Sequence, residues 1–216
     1  MSEMIVTIDG PSGSGKSTVS KAVASIVGLP HLDTGAFYRA ATLAIIRSGV
    51  DVADEKAVSE VVAEADLEQS SGRMILDGED VSTEIRSEPV TQLVSTVAAM
   101  PEVRRFLVAA QRDWVERKQR RAVIEGRDIG SVVFPDANIK FYLDAQPEVR
   151  ARRRAAELGD DTAEVAVDLA RRDRYDSTRG VSPLQVPDGA LVVDTTGMSF
   201  QEVVDHLVGV IESAQS

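Results

Sequence analysis

Eight consecutive residues, Gly10-Pro-Ser-Gly-Ser-Gly-Lys-Ser17, carry the plainest chemistry in the chain. They match G-x-x-x-x-G-K-[ST] and lie between the apolar run Met4 to Ile8 and a helical pattern from Ser17 to Val27. A strand, a glycine loop and a helix N-terminus in that order make a phosphate cradle. Glycine lets the backbone wrap the anion, successive N–H groups point inward, and the helix end adds its dipole. Gly10, Pro11, Ser12, Gly13, Ser14, Gly15, Lys16, Ser17 and Thr18 are therefore expected to hold the phosphates of ATP, with Lys16 on the β- and γ-phosphates and Ser17 as a ligand of Mg²⁺.

Such a loop serves many functions, so other residues must choose among them. There is no Asn-Lys-x-Asp motif to read guanine, and neither a second domain nor an extended acidic strand of the motor ATPase type. A kinase of small molecules fits what remains. Phosphoryl transfer between two anions needs cations around the transferring group, and arginines crowd residues 104–127, 150–154 and 171–179. Arg39 follows Leu32-Asp-Thr-Gly-Ala-Phe-Tyr38, and Arg127-Asp128 follows the apolar triplet Ala122 to Ile124. Both stand at the carboxyl ends of expected strands, where an open parallel sheet lines its ligand crevice, and planar guanidinium forks suit phosphate oxygens.

The elements that must position these groups alternate. Met4 to Ile8, Leu29 to Leu32, Ala122 to Ile124, Ile139 to Leu143 and Ala190 to Val193 read as five short buried strands. Helices are expected over Ser17 to Val27, Ala36 to Ser48, Asp51 to Ala65, Glu88 to Val97, Glu102 to Arg117 and Ser199 to Ser213, with an Arg-rich helical region before the last strand. This is an α/β fold with a five-stranded parallel sheet flanked by helices. Met74 to Leu76, the turn pair Asp77-Gly78 and Glu79 to Val81 read as a small β-hairpin, which breaks the βα rhythm and marks an insertion. Trp114 falls among apolar helix positions and is expected in the core; His31 and His206 lack metal-ligand spacing.

Four segments then carry a resemblance. Ile8 to Thr18, Leu32 to Arg39, Glu125-Gly-Arg-Asp-Ile-Gly-Ser-Val-Val-Phe-Pro135 and Arg171-Arg-Asp-Arg-Tyr-Asp-Ser-Thr-Arg-Gly-Val-Ser-Pro-Leu184 resemble, in order and over nearly the whole chain, the motifs of bacterial cytidylate kinases. The segment Leu76 to Ser82 is similar to that family's extra hairpin; Glu125 and Ser131 stand where the family often has Asp and Thr. The resemblance implies a P-loop kinase with an inserted acceptor-binding lobe over 48–101, a short helical lid over 150–171, and a core made of 1–47, 102–149 and 172–216. It implies transfer of the γ-phosphoryl group of ATP to CMP or dCMP. Ser95, Arg104 and Asp128 match its cytosine contacts; Arg39, Arg127 and Arg179 match positions that hold the acceptor phosphate; Arg172 and Asp176 match those near the sugar, and Thr34 lies beside the acceptor. Arg150, Arg153 and Arg154 match lid arginines over the ATP phosphates, with Arg153 carrying most weight. The catalytic set implied is Lys16, Arg39, Arg127, Arg153 and Arg179. A UMP kinase, a kinase of another small acceptor, or an ATP-dependent switch protein that transfers nothing stay open on the residues alone.

Composition narrows the partners. With 216 residues, 43% of them hydrophobic and 27% charged, the chain suits one core with insertions. A net charge of −11 speaks against general nucleic-acid binding, since affinity for phosphate backbones rests on spread positive charge. No apolar stretch reaches bilayer length, and the start runs into the glycine loop without a basic leader. The chain has no cysteine for disulfides or thiolate metal sites. A cytoplasmic monomer with Mg²⁺ as cofactor and ATP as co-substrate is the expectation.

Overall fold

A computed structural model describes residues 3–70, 72–178, 180 and 183–215. Arg179, one of the expected phosphate contacts, lies outside the described residues. The chain forms two compact units, one of residues 1–31 with 119–216 and one of residues 32–118.

The larger unit is built on a parallel sheet. Its strands are β1 (Met4–Asp9), β2 (His31–Asp33), β6 (Arg121–Gly126), β7 (Ile139–Asp144) and β8 (Leu191–Asp194), in the order β2-β6-β1-β7-β8. Strand β1 pairs in parallel with β6 and with β7, and β7 with β8. All six residues of β1 are buried, as a central strand covered on both faces requires. On one face Val6, Ile8, Phe141 and Leu143 pack with Val19 and Val23 of α1 (Lys16–Ile26) and with Val204, Leu207 and Ile211 of α8 (Phe200–Gln215). The chain reaches β6 on one side of β1 and β7 on the other, so the switch point of the sheet falls at the carboxyl end of β1, where the glycine loop begins. Strand β2, His31–Asp33, lies later than the apolar run Leu29 to Leu32 suggests, although the Pro30 carbonyl before it already accepts the Val123 N–H of β6.

The same unit holds a helical pair, α6 (Pro147–Leu158) and α7 (Thr162–Thr178), joined through a small cluster of Ala151, Ala155, Val165 and Leu169. Helix α7 runs unbroken past residue 171, so a lid ending there would end within a helix.

The second unit packs α2 (Thr34–Ser48), α3 (Glu55–Glu64), α4 (Glu88–Val97) and α5 (Pro101–Arg117) around Ala41, Ile45, Val58, Val62, Val97, Val103 and Leu107. Helices α2 and α3 begin where an aspartate caps them: Asp33 accepts from the Ala36 N–H at 3.0 Å, and Asp54 from that of Ala57 at 3.1 Å. Helix α3 therefore starts after the acidic turn at Asp51, and α2 starts two residues before Ala36. A three-stranded antiparallel sheet, β3 (Leu67–Ser70), β4 (Arg73–Leu76) and β5 (Glu79–Asp80), completes the unit. Asp77 and Gly78 turn between β4 and β5, both with positive φ, which suits a tight hairpin. Strand β3 is polar apart from Leu67, and its sequence does not announce it.

Candidate active site

The glycine loop owes its path to close backbone contacts. At Gly10, with φ of 147°, an added Cβ would stand 2.1 Å from the Leu143 carbonyl oxygen, so no side chain fits. Gly15 takes the left-handed conformation that lets α1 begin at Lys16. Three cations then meet three successive carbonyls of the loop. Arg127 Nη1 donates to Gly10 O at 3.0 Å, Lys16 Nζ to Pro11 O at 2.7 Å, and Arg150 Nη1 to Ser12 O at 3.0 Å. Arg127 also reaches Ser12 Oγ at 2.6 Å and Asp176 Oδ2 at 3.0 Å, while Arg150 pairs with Asp173. Asp173 in turn accepts the Ser12 N–H at 3.2 Å. A carboxylate thus rests on a backbone N–H of a loop built to take anions.

Burial has a chemical effect on Lys16. Loss of solvent first, and Arg127 second, push its ammonium down to about 7, against the pull of Glu125, Asp9 and Asp173. A phosphate placed here would favour the charged form that burial and Arg127 disfavour. Ser17 Oγ donates to Glu125 Oε2 at 2.7 Å, and Glu125 Oε1 lies 3.3 Å from His31 Nε2, which is 2.9 Å from Ser20 Oγ. Burial alone would raise the Glu125 carboxyl, but the His31 hydrogen bond and charge, the Ser17 hydroxyl and Lys16 hold it below its ordinary value. His31 is therefore a structural member of this network.

Asp9 ends β1 and was visible in the sequence only as the residue before the loop. It is fully buried, and both carboxylate oxygens accept backbone N–H groups, from Ile129 at 2.8 Å and Gly130 at 2.7 Å. These bonds tie the loop strand to a π-helical turn over Ile129–Val133 that opens directly after Arg127-Asp128. Desolvation outweighs the two hydrogen bonds and pushes the Asp9 carboxyl up to about 6. Asp128 itself is buried, and its carbonyl accepts the N–H groups of Val132 and Val133.

The remaining arginines of the larger unit are dispersed. Arg153 donates to Thr195 Oγ1 at 2.9 Å and Thr195 O at 2.7 Å, at the end of β8. Arg154 reaches Glu157, and Arg172 pairs with Asp168 at 2.9 Å. Of the three arginines expected over the ATP phosphates, Arg150 is the one set against the glycine loop.

The second unit carries the other expected contacts. Thr34 is buried at the first position of α2. Arg39, on the same helix, donates to Ile85 O at 3.2 Å and Thr91 Oγ1 at 2.9 Å. Arg104 is buried on α5, donates to Ala98 O at 3.3 Å and lies over the Tyr38 ring at 5.6 Å from its centre. Ser95 is half-buried on α4. Trp114 is buried, as its apolar neighbours suggest, and its Nε1 donates to Gln69 O at 2.7 Å.

Magnesium prefers hard oxygen ligands and keeps several waters when it binds with a nucleotide, so it needs only one or two protein oxygens. The Ser17 hydroxyl and the Glu125 carboxylate, in contact at the start of α1, fit that demand. Among the described residues no group of three or more His, Cys, Asp or Glu could hold an ion alone. No described helix is long and apolar enough to cross a membrane.

A protein of Thermus thermophilus shares the fold over the whole of both chains, with a TM-score of 0.53 at 22% identity. A cytidylate kinase of Mycobacterium leprae is 48% identical, over 98% of this chain and 97% of its own. One from Nocardia farcinica is 49% identical, over 96% and 93%. The family model for cytidylate kinase matches residues 6–213, and the chain belongs to the cytidylate kinase family.

Proposed function

We propose that this chain transfers the γ-phosphoryl group of ATP to CMP or dCMP, giving ADP and CDP or dCDP. The observation that carries the reading is the convergence of Arg127, Lys16 and Arg150 on the carbonyls of Gly10, Pro11 and Ser12. A phosphate chain entering the loop exchanges these weak carbonyl partners for charged oxygens, and the cations are already in place when negative charge shifts toward the leaving ADP.

The loop N–H groups and Lys16 hold the β- and γ-phosphates, and Arg150 approaches from the lid, proposed over 150–171. Ser17, with Glu125 beside it, would hold Mg²⁺, which would supply charge neutralisation to the nucleotide. On the acceptor side, Arg39, Arg127 and Arg179 take the CMP phosphate, Thr34 lies beside it, and Arg172 and Asp176 take the sugar. Asp128 accepts from the exocyclic amine of cytosine, a donor that uracil lacks, with Arg104 and Ser95 on the remaining base edge. The acceptor lobe is proposed over 48–101. The acceptor phosphate is already ionised at neutral pH, so alignment is needed and a general base is not. Arg153 and Arg154 join the ATP side by leaving Thr195 and Glu157, which closure of α6 and α7 would accomplish. The protein is further proposed to act as a cytoplasmic monomer.

The test is ADP release with ATP·Mg²⁺ and, separately, CMP, dCMP, UMP, AMP, GMP or no acceptor, with products resolved by chromatography. CMP and dCMP should give their diphosphates at least about tenfold more efficiently than UMP, which corresponds to roughly 1.4 kcal/mol. Equal use of UMP would remove Asp128 as reader of the base, and ATP binding without any diphosphate product would favour a switch protein.

A further inference from the structure

Gln69 is 5% exposed and bonds in two directions within the second unit. Its side-chain Oε1 accepts the backbone N–H of Asp33 at 2.9 Å, and its backbone carbonyl accepts Trp114 Nε1 at 2.7 Å. Asp33 is the cap of α2, so the first bond fixes the residue from which Thr34 and Arg39 are launched. Trp114 belongs to α5 and shares its buried face with Arg104, Leu107 and Gln111, at spacings of three, four and three residues. Along a stiff helix, holding Trp114 also holds Arg104, roughly 15 Å away by the helical rise.

A glutamine at the one buried position of a short polar strand is an unusual choice if only packing were at stake. Burying an amide is unfavourable unless it is hydrogen-bonded, and a Leu or Val would pair with Met74 across the strand at less cost. The bond to Asp33 gives the amide a purpose that an aliphatic side chain lacks, while the backbone carbonyl of the same residue ties it to Trp114.

We propose that Gln69 is a positioning residue for the acceptor. It sets the start of α2 against α5, so that the groups assigned to the acceptor phosphate and the group assigned to its base keep the spacing of one nucleotide. The inference rests on the acceptor assignments proposed above. It predicts an effect on the acceptor and none on ATP, whose loop lies in the other unit.

Trp114 is the chain's single tryptophan, so its fluorescence reports directly on the brace. In the full-length protein, Gln69→Met keeps the volume and removes the acceptor, whereas Gln69→Glu keeps an oxygen for the Asp33 N–H. Trp114→Phe keeps an aromatic ring and removes the second bond independently. Loss of one such hydrogen bond should raise KM for CMP about three- to tenfold. KM for ATP should stay within about twofold, and the emission of Trp114 in Gln69→Met should differ from wild type. Gln69→Glu should restore KM for CMP to within about twofold of wild type. Should Gln69→Met fail to fold, Trp114→Phe carries the same expectation for KM.

An active wild type whose folded Gln69→Met and Trp114→Phe variants keep their KM for CMP overturns the brace. Equal increases for CMP and ATP do so as well, since they indicate general loosening. A wild type that makes no CDP strikes the proposed function itself, and the positioning role falls with it.

Discussion

Lys16 and Asp9 show how burial at this site sets charge against stability. The Lys16 ammonium is disfavoured by lost solvent and by Arg127, so its charge costs the fold rather than supporting it. Lys16→Ala should lower kcat by about 10²–10³-fold, as loss of a charge on the transferring group does. Its melting temperature should hold or rise; a clear loss of thermal stability would assign Lys16 a structural role. Asp9 points to a pH effect. Its carboxyl is raised in the folded state to about 6, from 3.8, so the folded form holds its proton more tightly. The stabilisation from this group is full below about pH 4 and is lost as pH rises through 6. Asp9→Asn lacks that loss. Its unfolding free energy relative to wild type should improve by roughly 2–3 kcal/mol between pH 4 and 7. Urea titrations of both proteins at the two pH values measure this, and parallel pH dependences would contradict it.

At the scale of elements, α6 and α7 have a cluster of their own, apart from the sheet core. Leu169 belongs to it and also faces the glycine loop, since a Cβ at Gly13 would lie 3.2 Å from its Cδ1. Truncating a buried leucine costs about 2–5 kcal/mol, and here the loss should be confined to the helical pair. Leu169→Ala should speed hydrogen exchange across 150–178 and raise KM for ATP, while exchange in β1 and β6 stays near wild type. Uniformly faster exchange would mean that the pair does not unfold separately. Helix α2 depends in the same local way on Asp33, whose carboxylate caps it; Asp33→Ala should destabilise the second unit by about 1 kcal/mol, read from its urea midpoint.

For the whole molecule, two units with separate cores imply that the two substrates leave separate marks. ATP·Mg²⁺ alone should slow hydrogen exchange in residues 10–18 and in α6. CMP alone should slow it at the start of α2, in α4 and in the first turns of α5. Protection of one set by both ligands would break the proposed division of labour. The net charge of −11 adds a second expectation: duplex DNA should not be retained by the protein at about 150 mM salt, because affinity for a phosphate backbone rests on net positive charge.

The sequence alone determined the glycine loop, the helix that follows it and the five strands of the parallel sheet, but not the burial of the edge strand β8, where Leu191 and Val192 are exposed. Each is written in contiguous residues, where glycine, a lysine and a run of apolar side chains act on their immediate neighbours. It also carried the family, because motifs such as Glu125 to Asp128 are read without knowing what they touch. Tertiary structure decided the rest. Arg150, Arg153 and Arg154 share one stripe of α6, and only folding set Arg150 on Ser12 and Arg153 on Thr195. Asp9 looks like a strand end until Ile129 and Gly130, 120 and 121 residues away in the chain, bring it their N–H groups. Gln69 looks like loop polarity until Asp33 and Trp114, 36 and 45 residues away, meet it. Local pattern reports what a residue does to adjacent backbone; a hydrogen bond between distant segments exists only after the chain has folded, and much of this site is made of such bonds.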